Sequence, residues 1–318
     1  MARPFKRLCI PVLLGGMAFL GCASQTHEAG IAQERENRKF FTTDKTQTAA
    51  TGTAPLPQMT VEEHERLGDN YQAQGNAGAA FVHYDKALRL APDRIQIRYK
   101  LGMLYLNRRL LQEAKREFLE ILKNSPDDGL AHEAMGQCLF RMGQFDEAEK
   151  TFRQAIAVDP KLWQSHHFLG IIKDREKRFD AAIAEYEAAI AIKPDDGSLF
   201  NNLGISCLFN GEFQRSVDAF MKALKAGVSH PKVYNNLGLA LGKLERYEEA
   251  LSAFKKGSDE PTAYNNLGYI YLGQGKYREA KSAFEKAIEL KPGYYVRAAE
   301  NLKQANLLMM DETPKPLP

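Results

Sequence analysis

The sequence lacks a long apolar run, has little net charge and contains only four cysteines in 318 residues. Its apolar stretch at residues 8–20 is interrupted by Pro11, and its 13 residues fall short of the roughly 20 that a membrane-spanning helix needs. The contents of hydrophobic residues (44%) and charged residues (26%) are ordinary. They exclude wholesale disorder, a collagen-like chain and a protein with several membrane spans.

The net charge of +3 comes from the first residues of the chain. Of the 43 lysines and arginines, Arg3, Lys6 and Arg7 lie in residues 1–21, which contain no acidic residue. The remainder therefore has 40 basic and 40 acidic residues. A neutral chain offers no general attraction to phosphates, so we expect no nucleic-acid partner.

Residues 1–21 have the basic start and short apolar middle of a secretory signal peptide. The segment Phe19–Cys22 resembles the lipobox of bacterial lipoproteins, which implies lipidation of Cys22 and a membrane attachment through the lipid. The residues after this cysteine, Ala23 and Ser24, are similar to those of lipoproteins sorted to the outer membrane and facing the periplasm. The alternative is ordinary signal cleavage after Ala23, which would leave a soluble periplasmic protein.

Residues 22–60 follow the signal peptide and show no lasting hydrophobic period. They are rich in threonine, glutamine, alanine and glycine, and they end near Pro55 and Pro57. This composition predicts a flexible tether behind the lipidated cysteine.

From residue 61 onward the sequence repeats with a period of 34 residues. A Leu-Gly or Met-Gly pair recurs seven times, with its glycine at Gly68, Gly102, Gly136, Gly170, Gly204, Gly238 and Gly268. Twelve residues after each glycine comes a small residue, and four further on comes an aromatic residue. These aromatic residues are Tyr84, Phe118, Phe152, Tyr186, Phe220, Phe254 and Phe284.

Each period predicts two helices of about 13 residues separated by a turn, because apolar and small residues recur at steps of three and four. Gly75, Gly143, Gly211 and Gly275 fall in that turn, where a helix end favours the left-handed conformation. The Leu-Gly glycine and the later alanine are expected where the two helices cross closely. One such hairpin cannot bury its apolar face alone, so neighbouring hairpins stack.

This pattern, seen in full from Tyr264 to Pro292, resembles the tetratricopeptide repeat family. The resemblance implies an all-α fold, a right-handed α-solenoid of seven helix-turn-helix repeats. Residues 295–310 keep an apolar spacing that begins at Val296, without the Leu-Gly pair, and predict a C-terminal capping helix. Residues 311–318 are expected to be a disordered tail. The predicted repeats, numbered 1 to 7, are 61–94, 95–128, 129–162, 163–196, 197–230, 231–260 and 261–294.

Several positions depart from the family pattern. The first four repeats have His64, Arg98, His132 and His166 where the family favours an aromatic residue. Repeat 6 is four residues short and carries Gly257 in place of the usual alanine. The charged run at 173–178 alternates in sign and predicts a solvated turn.

No motif in the sequence indicates an enzyme, a metal site, a cofactor or a small-molecule substrate. His132 is followed four residues later by Gly136, so the zinc-protease motif is absent. His132 and His166 occupy equivalent positions in adjacent repeats, about 10 Å apart, too far to share one metal ion. We expect these histidines to be structural. Cys138 and Cys207 lie two repeats apart, too far for a disulfide, and are expected in the core.

The family resemblance implies that the first helix of each repeat lines a concave groove that takes an extended peptide or a helix from a protein partner. An asparagine amide both donates to and accepts from a peptide backbone. The expected peptide-binding residues are therefore the asparagine pairs of the last three repeats and one tyrosine beside them: Asn201, Asn202, Asn235, Asn236, Asn265, Asn266 and Tyr269. The alternative is that these asparagines belong to the fold consensus. The lysine and asparagine clamp that related repeats use for a terminal carboxylate is not reproduced.

Two hypotheses for function follow. The first is a non-catalytic scaffold in the cell envelope, similar in layout to the repeat lipoproteins of type IV and Flp/Tad pilus systems, that holds or pilots a partner during assembly of a pilus or secretion system. The second is an adaptor that recruits a peptidoglycan hydrolase or protease to its substrate.

Overall fold

The computed structural model describes residues 59–291 and 295–312. These residues form fifteen helices and no strand. They divide into two compact parts between Ile121 and Leu122, within the fourth helix. The predicted signal peptide, the lipidated Cys22 and all of the tether except residues 59–60 lie outside the described residues, as does the tail after residue 312.

The N-terminal part contains two helical hairpins, the second of which ends beyond the boundary. Its helices are α1 (Val61–Ala73), α2 (Ala77–Leu90), α3 (Ile95–Asn107) and α4 (Leu111–Asn124). The Thr60 hydroxyl accepts from the Glu63 backbone and the Glu63 carboxylate accepts from the Thr60 backbone. This reciprocal cap explains why α1 begins at the first residue of the predicted repeats.

The C-terminal part contains five further hairpins and a last helix. The hairpins are α5 (Gly129–Arg141) with α6 (Phe145–Val158), α7 (Trp163–Arg175) with α8 (Phe179–Ile192), α9 (Gly197–Asn210) with α10 (Phe213–Lys225), α11 (Pro231–Lys243) with α12 (Tyr247–Gly257), and α13 (Glu260–Gly273) with α14 (Tyr277–Glu289). The last helix is α15 (Val296–Glu312). No helix in the described ranges is long and apolar enough to cross a bilayer.

The Leu-Gly glycines lie where the two helices of each hairpin cross. A Cβ atom placed on any of the seven would come within 2.4–2.7 Å of the aromatic ring sixteen residues later in the chain. For Gly204 this ring belongs to Phe220. The ring is fully buried in every hairpin except that of Tyr186, which is 1% exposed. The predicted glycine–aromatic crossing is confirmed.

The turns inside the hairpins all contain one residue in the left-handed conformation. The four predicted glycines have φ between 75° and 83°. At the equivalent position, repeats 2, 4 and 6 have Arg109, Lys177 and Glu245, with φ between 59° and 62°. The turn geometry is thus kept even where a side chain makes it costly.

The capping helix differs from its predicted bounds of 295–310. α15 runs from Val296 to Glu312, so residues 311 and 312, predicted as disordered tail, are helical. Its packing face includes the buried Ala298 and Ala305, whereas Val296 is 45% exposed. Val296 lies two residues, about 200° of helical rotation, from Ala298 and therefore points away from that face.

Candidate protein-binding face

The first helices of repeats 4 to 7, which are α7, α9, α11 and α13, lie next to each other in that order. Asn202 of α9 donates to His167 Nε2 of α7 at 2.9 Å. Contacts also join α9 to α11 and α11 to α13. We define the first-helix face by four positions in each of these four helices: six and two residues before, and one and five residues after, the Leu-Gly glycine. In α11 these are Lys232, Asn236, Leu239 and Lys243, whose spacing of four, three and four puts them on one side of the helix.

The first asparagine of each predicted pair is used by the fold. Asn235 donates to the Gly257 carbonyl at 3.3 Å, which ties α11 to the end of α12. Asn265 is 3% exposed and accepts from Asn301 of α15 at 3.0 Å. Asn201 donates to the neighbouring Asn202 oxygen at 3.3 Å. A six-residue ladder of available amides is therefore not formed.

The second asparagine of each pair lies on the first-helix face. Asn202, Asn236 and Asn266 are half-buried, and Tyr269, one turn from Asn266, is 40% exposed. The Asn202 amide is engaged by His167. Among the described residues, none forms a hydrogen bond with the side chains of Asn236 and Asn266, so both amides are available to a peptide backbone. Three of the six predicted asparagines thus lie on this face, and their role in peptide binding stays a prediction.

His167 lies at the edge of this face in an aromatic setting. Its ring stacks on Trp163, with ring centres 6.3 Å apart, and lies 6.1 Å from Tyr186. Burial lowers the pKa of His167, which keeps the ring neutral and lets Nε2 accept from Asn202. Trp163 was missed by sequence reasoning, although it is the single tryptophan of the chain and opens a first helix.

Below the face, repeats 4 and 5 are joined by a buried polar cluster. The Asp174 carboxylate accepts from Tyr186 Oη at 2.8 Å and from Ser206 Oγ at 2.7 Å. Lys173, whose side chain is 3% exposed, forms ion pairs with Glu149 at 2.7 Å and Glu176 at 3.0 Å. The prediction of a solvated turn is wrong for these two residues, because partners from neighbouring helices enclose them. Burial raises the pKa of Asp174 despite its hydrogen bonds.

The polar residues that replace the family aromatic have partners that fit a structural role. His166 Nδ1 lies 2.7 Å from Glu185, and Arg98 forms an ion pair with Glu117 at 2.8 Å. His132 Nε2 lies 2.8 Å from the Pro126 carbonyl. Within residues 59–291 and 295–312 no group of three His, Cys, Asp or Glu side chains is arranged to hold a metal ion.

Both described cysteines are buried and free, as predicted. Burial raises the pKa of the Cys207 thiol to about 11, so the thiol stays protonated at neutral pH.

Solved structures share this fold at low sequence identity. The C-terminal part of a tetratricopeptide repeat-containing protein from Cytophaga hutchinsonii has a TM-score of 0.57 and 18% identity, over 74% of this chain and 98% of that one. A tetratricopeptide repeat protein from Parabacteroides merdae has a TM-score of 0.50 and 16% identity, over 77% and 98%. YrrB, described as a repeat protein with an unusual peptide-binding site, has a TM-score of 0.50 and 18% identity, over 58% and 97%. The predicted α-solenoid of helix-turn-helix repeats is confirmed.

Two family models account for most of the chain. The model described as the C-terminal domain of cilia and flagella-associated protein 70 matches residues 23–261, and a tetratricopeptide repeat model matches residues 261–294. Their matches meet at residue 261, where repeat 7 begins. The chain therefore belongs to the tetratricopeptide repeat family, within the group described as the C-terminal domain of cilia and flagella-associated protein 70.

Proposed function

We propose that this protein is a non-catalytic scaffold that binds a partner protein on the first-helix face of repeats 5 to 7. Tetratricopeptide repeat proteins are generally protein-interaction scaffolds. The family models and the solved structures that match this chain are of tetratricopeptide repeat proteins. The observation that carries the proposal is the position of Asn236 and Asn266. These two amides, which have no partner in the part of the chain that the structure describes, lie at the same position of neighbouring helices, beside the exposed Tyr269.

The geometry suits an extended peptide or a helix. Neighbouring helices pack about 10 Å apart, a distance that three residues of extended chain cover. An amide on each helix can therefore meet a backbone group every third residue and hold a chain with little regard to its side chains. YrrB, which has a similar fold, is described as having a peptide-binding site.

We further propose that the scaffold is anchored to the outer membrane, facing the periplasm, by a lipid on Cys22, and that it pilots its partner during assembly of an envelope machine such as a pilus or secretion system. The support is the order of signal peptide, lipobox, tether and repeats in the sequence. One acyl chain gives only marginal membrane binding, whereas several chains anchor a protein stably.

A triple substitution tests the binding face. We expect Asn202→Ala, Asn236→Ala and Asn266→Ala together to abolish recovery of the partner from detergent-solubilised envelopes. The matched control is Gln154→Ala, Ser252→Ala and Ser282→Ala, which changes three exposed residues of second helices. Equal recovery by both folded variants would place the binding site elsewhere.

The identity of the recovered partner and a change at Cys22 test the remaining steps. A secretin or pilus component supports assembly, whereas a peptidoglycan hydrolase or protease supports the adaptor hypothesis. Cys22→Ser is expected to release the protein from the membrane fraction and to abolish fatty-acid labelling. Membrane fractionation unchanged by this substitution, with no labelling of the parent, would contradict the anchor.

A further inference from the structure

The charges on the first-helix face have one sign. Among its positions in α7, α9, α11 and α13, the charged residues are Arg175, Lys232 and Lys243, and none of the positions carries a carboxylate. All of these positions are at least partly exposed. Outside residues 1–21 the chain has equal numbers of acidic and basic residues. The acidic side chains of these repeats lie elsewhere, on the second helices and at the turns and helix ends.

The helix macrodipole would favour the opposite arrangement. A carboxylate is stabilising in the first turn of a helix and a cation is not. Three of the four second helices, α8, α12 and α14, follow this rule with acidic residues in their first turns, and α10 does not. Of the four first helices, α7, α9 and α11 have none there and α11 has Lys232 instead, whereas α13 has Glu260, which is not a position of the first-helix face. Local helix stability thus does not account for the missing carboxylates.

The cations on this face are not neutralised by the protein itself. The structure shows no ion pair to Arg175, Lys232 or Lys243 within its described residues. Arg175 instead lies over the Phe145 ring at 4.2 Å. The N-terminal part differs, because Lys100, two residues before its Leu-Gly glycine, forms ion pairs with Glu65 at 2.7 Å and Asp69 at 2.8 Å. The corresponding surface of that part is mixed in sign, with the carboxylates of Glu62 and Asp69 beside the cations of Arg66 and Lys100.

An apolar row runs between the amides and the cations. One residue after the Leu-Gly glycine, the four helices present Ile171, Ile205, Leu239 and Tyr269. The cationic positions Arg175 and Lys243 follow one turn later on the same side of their helices. The row crosses four helices spaced about 10 Å apart, roughly 30 Å, which is the length of a 20-residue helix.

We propose that the partner segment bound here is acidic and amphipathic, with apolar side chains on the row of Ile171, Ile205, Leu239 and Tyr269 and carboxylates towards Arg175, Lys232 and Lys243. This rests on the proposed function, since it names the chemistry of the partner at that face. Charge complementarity carries it: a carboxylate-free apolar surface with three unmatched cations suits a negatively charged segment and rejects a basic one.

The first experiment maps the bound segment. A photo-crosslinking amino acid replaces Leu239 in the full chain, expressed in its native cells, and the crosslinked peptide is sequenced by mass spectrometry. We expect a segment with net negative charge and apolar residues at helical or alternating spacing. A neutral or basic segment would overturn this inference and leave the proposed function standing. Crosslinking to no protein would overturn the proposed function itself.

The second experiment measures the charge term. The mapped segment is made as a fluorescent peptide, together with a version whose Asp and Glu are changed to Asn and Gln, and binding is followed by anisotropy. We expect the neutral peptide to bind the parent protein at least tenfold more weakly than the acidic peptide does. We expect the same loss when the acidic peptide binds the variant Arg175→Glu with Lys243→Glu. The control Lys150→Glu with Lys225→Glu changes exposed lysines of second helices by the same charge and should bind normally. Equal loss in both variants, or equal binding of both peptides, would contradict the inference.

Discussion

Two equivalent contacts between neighbouring repeats are filled with opposite chemistry. Between repeats 4 and 5 the buried Asp174 accepts from Tyr186 and Ser206. Between repeats 6 and 7 the equivalent positions hold Gly242, Phe254 and Ile270, and a Cβ on Gly242 would lie 2.9 Å from the Ile270 side chain. The contact between repeats 4 and 5 is a hydrogen-bonded cluster, and the contact between repeats 6 and 7 is packed with apolar side chains. The same backbone arrangement therefore accepts either solution, provided that all three positions change together.

The largest expected effect comes from breaking the polar cluster at one position. Asp174→Gly leaves the buried Tyr186 hydroxyl without its acceptor, while Ser206 Oγ keeps only the Asn202 carbonyl at 3.1 Å, and it places a glycine near the end of a helix. We expect it to lower the free energy of unfolding by about 2–4 kcal/mol. Adding Tyr186→Phe and Ser206→Ile converts the contact to the pattern of repeats 6 and 7 and should restore most of the loss. Urea unfolding of the full chain, followed by circular dichroism, measures both. A triple variant less stable than the single one would show that the two contacts are not interchangeable.

A smaller effect is expected at the pair that replaces the family aromatic. His166 lies 2.7 Å from Glu185, where repeat 5 has Phe200 and Ala219. His166→Phe alone removes the partner of a largely buried carboxylate and should cost about 1–2 kcal/mol. The double variant with Glu185→Ala should recover this cost. A double-mutant cycle gives the coupling free energy, and a value below about 0.5 kcal/mol would mean that the pair acts independently.

The turns of repeats 4 and 5 differ in backbone strain, which adds a third comparison between these repeats. Lys177 of repeat 4 and Gly211 of repeat 5 share the left-handed conformation, with φ of 60° and 83°. Lys177→Gly should raise the free energy of unfolding by about 1 kcal/mol, and Gly211→Ala should lower it by a similar amount. A Cβ on Gly211 meets no atom within 4 Å, so steric crowding does not enter. Thermal melts of both variants, with Lys177→Ala as the side-chain control, check the sign.

The smallest expected effect is on pH dependence. Burial raises the pKa of Asp174 above its unfolded value, so the folded chain binds this proton more tightly than the unfolded chain does. This group therefore stabilises the fold at acidic pH, and its contribution falls as pH rises through the folded-state pKa. Asp174→Asn should flatten that slope relative to the parent when urea unfolding is repeated from pH 4 to pH 7. An unchanged slope would mean that another group dominates in this range.

The helices and turns were predictable because their signals are local. The glycine–aromatic crossing repeats at fixed spacing, and each helix pair followed from it. The buried state of Lys173 and Asp174 was not predictable in the same way, since their partners Glu149 and Ser206 lie on neighbouring hairpins. A charged run looks solvated until the residues packed over it are known.

The candidate site was half predictable for a geometric reason. Two consecutive residues on a helix point about 100° apart, so adjacent asparagines cannot both face one groove. Asn236 lies on the first-helix face while Asn235 turns towards the Gly257 carbonyl. Counting positions from the Leu-Gly glycine would have separated the two. The single charge sign of the face is also present in the sequence, but it emerges only when those positions are compared across repeats.

The shortened helix of repeat 6 limits how freely the repeats can be exchanged. A Cβ on Gly257 would lie 2.7 Å from the Pro231 carbonyl and 2.6 Å from the Asn235 oxygen, so the end of α12 rests on the backbone that begins α11. Consensus copies with a full-length helix and an alanine fit the other hairpins but not this one. Repeat 6 is therefore not interchangeable with the other repeats. Whole repeats are best added to or removed from the protein on either side of it.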